Sequence, residues 1–133
     1  MKIKPKKSLG QNFLIDDKLL ELITNIVKIN KEDTILEVGA GTGNLTEKLF
    51  YKNPKKIIAI EKDENLCKIL NNKFSEKKNI KILNENIMNM NEEKITNEKI
   101  IIYGNLPYNI STQILAKWIK LKNLNKICKK MIL

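Results

Sequence analysis

An α/β fold with a doubly wound, mostly parallel sheet is predicted by three observations. Short apolar runs recur along the chain, at Ile35–Val38, Lys56–Ile60 and the isoleucine-rich Lys99–Tyr103. Stretches with helical apolar spacing separate them. The first run ends in a glycine-rich turn, Gly39-Ala-Gly-Thr-Gly43, which leads into a helix-like stretch from Leu45 to Phe50. Strand and helix in alternation argue for parallel strands joined by right-handed crossovers.

A chain of 133 residues has room for one domain with a real core, here residues 1–133. With 42% hydrophobic residues the composition is that of a globular protein, not a disordered one. No apolar run approaches the roughly 20 residues of a membrane span. The basic start, Met1-Lys-Ile-Lys-Pro-Lys-Lys, is not followed by a signal-type apolar segment. A cytoplasmic protein without a membrane partner is expected. Cys67 and Cys128 lie far apart and the chain has no histidine, so no zinc site and no metal is expected. Both thiols should be reduced and structural. The formal charge of +10 points to a polyanion, with nucleic acid the first candidate. Every basic residue is lysine, and a biased genome would produce the same pattern.

The elements follow in order. The basic arm to Lys7 includes Lys4, Lys6 and Lys7, and reads either as a solvated tail or as a phosphate contact. Gly10 allows a turn, Gln11 and Asn12 bring amide donors and acceptors, and Phe13 and Leu14 form an apolar anchor. Asp16 or Asp17 should cap a helix. Its stripe should be Leu19, Leu22, Ile23 and Ile26, widened by Leu20 and Val27, with an end near Lys28. Lys31-Glu-Asp33 is a turn into the first strand. Asn53-Pro54 breaks the helix that follows the glycine turn. The second strand ends at Glu61, about 18 residues after that turn. Nucleoside-binding α/β folds place a ribose-binding carboxylate there. Asp63 should cap a helix with Leu66, Ile69, Leu70 and Phe74 on one face. Asn79–Asn84 is a third strand, with Glu85 and Asn86 at its end. The fourth strand runs into Gly104-Asn-Leu-Pro-Tyr-Asn-Ile-Ser111. Pro107 stiffens that loop and holds Leu106 extended. Asn105 and nearby carbonyl oxygens then face the crevice, and Tyr108 offers a stacking face. Ser111 is expected to cap a helix to about Lys120, with Ile114, Leu115, Trp118 and Ile119 as its stripe. Lys130–Leu133 begins a fifth strand.

The acid and glycines Glu37-x-Gly39-x-Gly41-x-Gly43 are spaced differently from the dinucleotide fingerprint. They resemble motif I of the S-adenosylmethionine-dependent methyltransferases. Gly10-Gln-Asn-Phe-Leu14, Leu36–Thr46, Ile60-Glu-Lys-Asp63 and Asn105-Leu-Pro-Tyr-Asn-Ile-Ser111 together resemble the ribosomal RNA adenine N6-dimethyltransferases. That family comprises small-subunit enzymes and macrolide-resistance relatives. The Leu of Asn-Leu-Pro-Tyr and the Gly-Ala-Gly-Thr-Gly turn are more similar to the small-subunit branch.

The resemblance implies a Rossmann-like methyltransferase fold and S-adenosyl-L-methionine as cofactor. It implies ribosomal RNA of the small subunit, or its precursor, as partner. The implied cofactor set is Gln11, Asn12, Leu14, Glu37, Gly39, Gly41, Gly43, Glu61, Asn86 and Asn105. Asn105, Leu106, Pro107 and Tyr108 would form the reaction centre, and Lys4, Lys6 and Lys7 would contact RNA. The family usually has aspartate where Asn86 stands, to accept from the cofactor's adenine amino group. An amide oxygen accepts without charge assistance, and Glu85 is the candidate substitute. The chain stops inside what reads as the fifth strand. The expectation is a partial catalytic domain, without later strands and the family's helical carboxyl-terminal domain, monomeric when complete and weak or inactive by itself. Two other readings stay open: an amino methyltransferase acting on DNA or protein, and a non-catalytic RNA- or cofactor-binding remnant.

Overall fold

The chain alternates helices and strands: α1 (Asp17–Asn25), β1 (Thr34–Val38), α2 (Asn44–Tyr51), β2 (Lys56–Glu61), α3 (Glu64–Lys73), β3 (Ile80–Asn84), β4 (Ile100–Gly104), α4 (Tyr108–Ile119), α5 (Leu124–Ile127) and β5 (Cys128–Ile132). The computed structural model describes residues 16–95 and 97–133. Its sheet has the order β3-β2-β1-β4-β5, with every neighbouring pair parallel. From β1 the chain builds outward one way through β2 and β3, then crosses back to add β4 and β5. The reversal lies between β1 and β4. In open α/β sheets ligands bind at that switch point, beyond the carboxyl ends of the strands.

Alternate strand residues face opposite layers. Leu36, Val38, Ile58, Ile60, Ile100 and Ile102 pack on one face against Ile114 and Trp118 of α4 and Ile127 of α5. Ile35, Ile57, Ile101 and Tyr103 pack on the other, against Leu20 of α1 and Leu45 and Leu49 of α2. Ala59 meets Leu70 and Phe74 of α3 on that second face. Helices on both faces explain why the central strands are apolar on both sides at most positions, with isoleucine dominant in β2 and β4. Each fully buried isoleucine contributes about 1.5–3 kcal/mol of transfer free energy.

Strand boundaries fall within a residue or two of expectation, while the helices differ in phase. In α1, Asp16 is the cap and accepts from the Leu19 N–H at 3.0 Å. The helix closes at Asn25, short of Lys28, where the Ile26 N–H turns back to the Ile23 carbonyl. The buried face is Leu20 and Thr24, with Ile23 and Val27 half-buried; Leu19, Leu22 and Ile26 are exposed. Contact with α2 sets this rotation. Lys48 pairs with Asp17 at 2.8 Å and Lys52 with Glu21 at 2.9 Å, flanking the Leu20–Thr24 edge. Thr24 tolerates burial because its hydroxyl donates to the Glu21 carbonyl. In α3, Asp63 caps as expected, accepting from Asn65 and Leu66 N–H, but Ile69 is exposed and Cys67 takes the buried position.

Helix α4 begins at Tyr108, three residues before the expected Ser111 cap. Pro107, with φ of −54°, is the cap residue, and its carbonyl accepts from Ile110 and Ser111 N–H. The fixed proline torsion suits a helix entrance. Ser111 lies inside the helix and its hydroxyl folds back to the Leu106 carbonyl at 3.4 Å. Only Ile114 and Trp118 of the expected stripe are buried; Leu115 and Ile119 face outward. The short helix α5 was not expected, because four residues carry no period to read. Asp33, at the foot of β1, is tied to β5 by Lys129 at 2.7 Å. Burial works to raise its carboxyl, but Lys129 and the Asn30 N–H hold it low.

Candidate active site

Two loops meet at the switch point. The glycine turn leaves β1 with three left-handed glycines, φ 74° at Gly39, 59° at Gly41 and 81° at Gly43. Such torsions strain any residue with a Cβ. The Gly39 and Ala40 N–H groups donate to the Ile60 carbonyl at 2.8 and 3.1 Å, pinning the turn to the end of β2. A Cβ at Gly39 would lie 2.7 Å from Leu106 Cδ2 and 3.9 Å from the Asn105 carbonyl oxygen. The missing side chain thus lets the loop after β4 lie directly on the loop after β1. Gly43 serves packing: a Cβ there would meet Leu70 and Phe74 of α3 at 2.8 Å.

Glu61 ends β2 and is 6% exposed. One carboxylate oxygen accepts from the Gly41 N–H at 2.9 Å and the other from the Asp63 N–H at 2.9 Å. It therefore clips the glycine turn to the turn that opens α3. A carboxylate has about four acceptor sites, so two backbone bonds leave capacity for hydroxyl groups. The Glu61 carbonyl gathers the neighbouring strand end, accepting from Asn84 Nδ2 at 3.0 Å, the Glu85 N–H at 3.1 Å and the Cys67 thiol at 3.2 Å. Burial pushes the Cys67 thiol up, which keeps it a protonated donor. Cys67 and Cys128 are both free thiols.

Glu37 lies beneath the glycine turn with 1% exposure. Burial lifts its carboxyl to about 8; Thr46 and Lys73 oppose the rise and the Glu61 carboxylate adds to it. At pH 7 it is a neutral acid. Its Oε2 and the Tyr103 hydroxyl are buried polar atoms without a hydrogen-bond partner among the described residues. Glu37 and Tyr103 stand side by side in register on β1 and β4. Orphaned polar atoms under a glycine turn fit a polar ligand lying across it.

Asn105, Leu106 and Pro107 are partly buried at the end of β4, while Tyr108 is 90% exposed at the mouth. Asn86 is exposed, and its side-chain oxygen accepts from the Met88 N–H at 3.0 Å, capping a 3₁₀ turn at Ile87–Asn89. One lone pair of that oxygen is thus used locally. Gln11, Asn12, Leu14, Lys4, Lys6 and Lys7 lie outside the described residues. Among the described residues no group of three or more Cys, Asp or Glu could hold a metal ion. No described helix is long and apolar enough to cross a membrane.

One side-chain cluster beside the candidate site escaped the sequence. Lys117 of α4 donates to the Ile87 and Met90 carbonyls at 2.6 and 2.7 Å and to Glu92 at 2.7 Å. The Trp118 indole N–H donates to the same Glu92 oxygen at 2.6 Å. The helix that starts at Tyr108 therefore grips the segment that starts at Asn86. Partners 25 and 26 positions apart leave no local pattern, and a lysine beside the single tryptophan was the only available signal.

The profile of the ribosomal RNA adenine dimethylase family matches residues 2–133. The chain is 50% identical over 119 residues to Ribosomal RNA small subunit methyltransferase A of Pelagibacter ubique (strain HTCC1062), covering 90% of this chain and 44% of that protein. It is similar in structure to the 23S rRNA methyltransferase ErmE, with a TM-score of 0.76 and 26% identity over 90% of this chain and 47% of that one. A dimethyladenosine transferase from Plasmodium falciparum matches with a TM-score of 0.69 and 27% identity, over 84% of this chain and 39% of that one. The chain thus spans less than half the length of these relatives. A Rossmann-like methyltransferase fold, a glycine turn backed by a carboxylate and a matching family profile agree: the chain belongs to the ribosomal RNA adenine dimethylase family.

Proposed function

We propose that this chain works in an S-adenosylmethionine-dependent enzyme that methylates the N6 amino group of adenosines in small-subunit ribosomal RNA, giving dimethyladenosine. The observation that carries this reading is the seating of Leu106 on Gly39. It brings the Asn105–Tyr108 loop against the glycine turn, so a group held by one is within reach of a group held by the other.

S-adenosylmethionine, when bound, supplies a methyl group already activated on a sulfonium. The residues present fit it. The Glu61 carboxylate has acceptor capacity left for ribose hydroxyls, Asn86 can accept from an adenine amino group with its second lone pair, and the glycine turn supports the methionine part. On the substrate side, the adenine amino nitrogen is a poor nucleophile because its lone pair is delocalised into the ring. Acceptance of both amino hydrogens, by the Asn105 side-chain oxygen and the Leu106 carbonyl, favours a more tetrahedral nitrogen. The Leu106 carbonyl has a second lone pair beside its long bond from Ser111. Catalysis is then mainly alignment, with stabilisation of developing charge. The target base must leave its stack to enter, and exposed Tyr108 offers it a flat face. The displaced proton leaves to solvent at that mouth.

The test is incubation of labelled cofactor with under-methylated small ribosomal subunits. Label appearing in dimethyladenosine supports the reading. Asn105→Ala should lower single-turnover rates by about 10²-fold with cofactor affinity nearly intact. Transfer to DNA or protein in place of RNA would overturn the substrate assignment.

A further inference from the structure

A cavity of about 340 Å³ lies over β2 and β3, away from the loop after β4. Its floor is Ile58 and Leu83. Register pairs Ile58 with Lys81, and alternation puts Lys56 on the same face, two residues before Ile58. In this fold that face normally carries apolar residues under a helix. Here the 3₁₀ turns Ile87–Asn89 and Glu92–Lys94 run past in place of a full helix. They supply the other wall, with Asn89, Asn91 and Lys94.

Three lysines therefore face one concavity. None of the three has an ion-pair partner among the described residues, whereas Lys55, next in sequence to Lys56, pairs with Glu98 at 2.6 Å. The lining contains one carboxylate, Glu85. Three solvent-exposed ammonium groups against one lining carboxylate leave the groove net positive, and a concave wall concentrates that field on an entering anion. Lysine meets phosphate as a point charge, without reading sequence. The volume is within the range of ligand-sized sites. Glu85 and Asn89 flank Asn86, so the cavity adjoins the crevice at the end of β3. It sits at the sheet edge opposite β5.

We propose that the cavity bounded by Lys56, Lys81 and Lys94 is a phosphate-binding groove for the backbone of the substrate RNA, extending its grip beyond the reaction mouth. This rests on the RNA reading above.

The experiment is fluorescence anisotropy of a labelled small-subunit RNA hairpin, titrated with this chain across a salt series. The Lys56→Gln/Lys81→Gln/Lys94→Gln variant should bind more weakly. Its plot of log K against log salt should be shallower by about 2–3, near one unit per lost phosphate contact. Melting and calorimetric cofactor affinity should match the unsubstituted chain. A control, Lys122→Gln/Lys126→Gln/Lys130→Gln, removes the same charge near the opposite edge and should change the slope by less than about 1. Equal changes in the two variants would reduce the effect to net charge and overturn the groove. An unchanged slope in the groove variant would overturn it as well, and if the unsubstituted chain still methylates RNA, the proposed function survives. If inorganic phosphate stabilises the unsubstituted chain but not the groove variant, while their RNA slopes agree, the cavity holds a free anion and the RNA assignment fails. No RNA affinity in the unsubstituted chain would overturn both proposals.

Discussion

Glu61 uses both carboxylate oxygens on backbone N–H groups before any ligand arrives. Glu61→Ala should therefore act twice. Loss of a charged acceptor should weaken S-adenosylmethionine binding by about 10- to 150-fold, from roughly 1.5–3 kcal/mol. Freeing the Gly41 and Asp63 N–H groups should also lower the melting temperature. Calorimetry with unchanged cofactor affinity would sink the ribose assignment. Glu37 makes a pH prediction. Its folded-state value of about 8 lies above its ordinary 4.5, so between the two the folded chain keeps a proton that the unfolded chain releases. The stabilisation is full below 4.5 and is lost as pH rises through 8. Its slope is at most about 1.4 kcal/mol per pH unit. Urea unfolding at a series of pH values should show that decline, and Glu37→Gln should flatten it; parallel curves would refute the burial argument. Tyr103 is fully buried, and its hydroxyl, which burial also keeps protonated, has no partner among the described residues. Tyr103→Phe removes an unsatisfied group at little cost in packing, so stability should rise by about 1 kcal/mol. A fall in stability would mean the hydroxyl has a partner in solution.

Among the elements, α4 and the connection from β3 to β4 behave as one unit. Glu92 is 2% exposed and holds both Lys117 and Trp118. Removal of one member of a buried ion pair leaves the other charge uncompensated, typically at a cost of about 3–5 kcal/mol. Lys117→Met should destabilise by that order in chemical denaturation. It should also shift the emission of Trp118, the only tryptophan in the chain. A cost below about 1 kcal/mol would show that the pair contributes little. Because α4 starts at Tyr108 and the gripped segment follows Asn86, this clamp fixes the spacing between the Asn105–Tyr108 loop and the segment after β3. The glycine turn and the Asn105–Tyr108 loop were legible as motifs. Their mutual contact through Leu106 was not, since it joins residues far apart in the chain that become neighbours only when β4 pairs with β1.

For the molecule as a whole, burial is graded across the sheet. β1 is buried at every position, while the outer strands β3 and β5 are partly exposed. Amide exchange should therefore be slowest in β1, β2 and β4 and faster in β3 and β5. Slowest exchange in β5 would contradict the observed strand order. The +10 charge is unevenly compensated: several lysines are in ion pairs such as Lys48–Asp17 and Lys129–Asp33, while the three lining the cavity over β2 and β3 have no ion-pair partner among the described residues.

Apolar runs, turn glycines, caps at Asp16 and Asp63, and the stiff Pro107 loop act within a few residues of themselves. The sequence by itself therefore determined the strands, the order of every element but the short α5, the glycine turn, the acid after β2 and the family. Its expectation of a methyltransferase-type parallel sheet agrees with the structure. It left open which strands are neighbours, which face of α1 and α4 is buried, and where α4 begins. It also missed that Gly43 packs on α3, that Glu37 is a neutral buried acid, and that Lys117 clamps a distant segment. Those outcomes depend on contacts between residues far apart in the chain, and a contact of that kind exists only once the sheet has assembled.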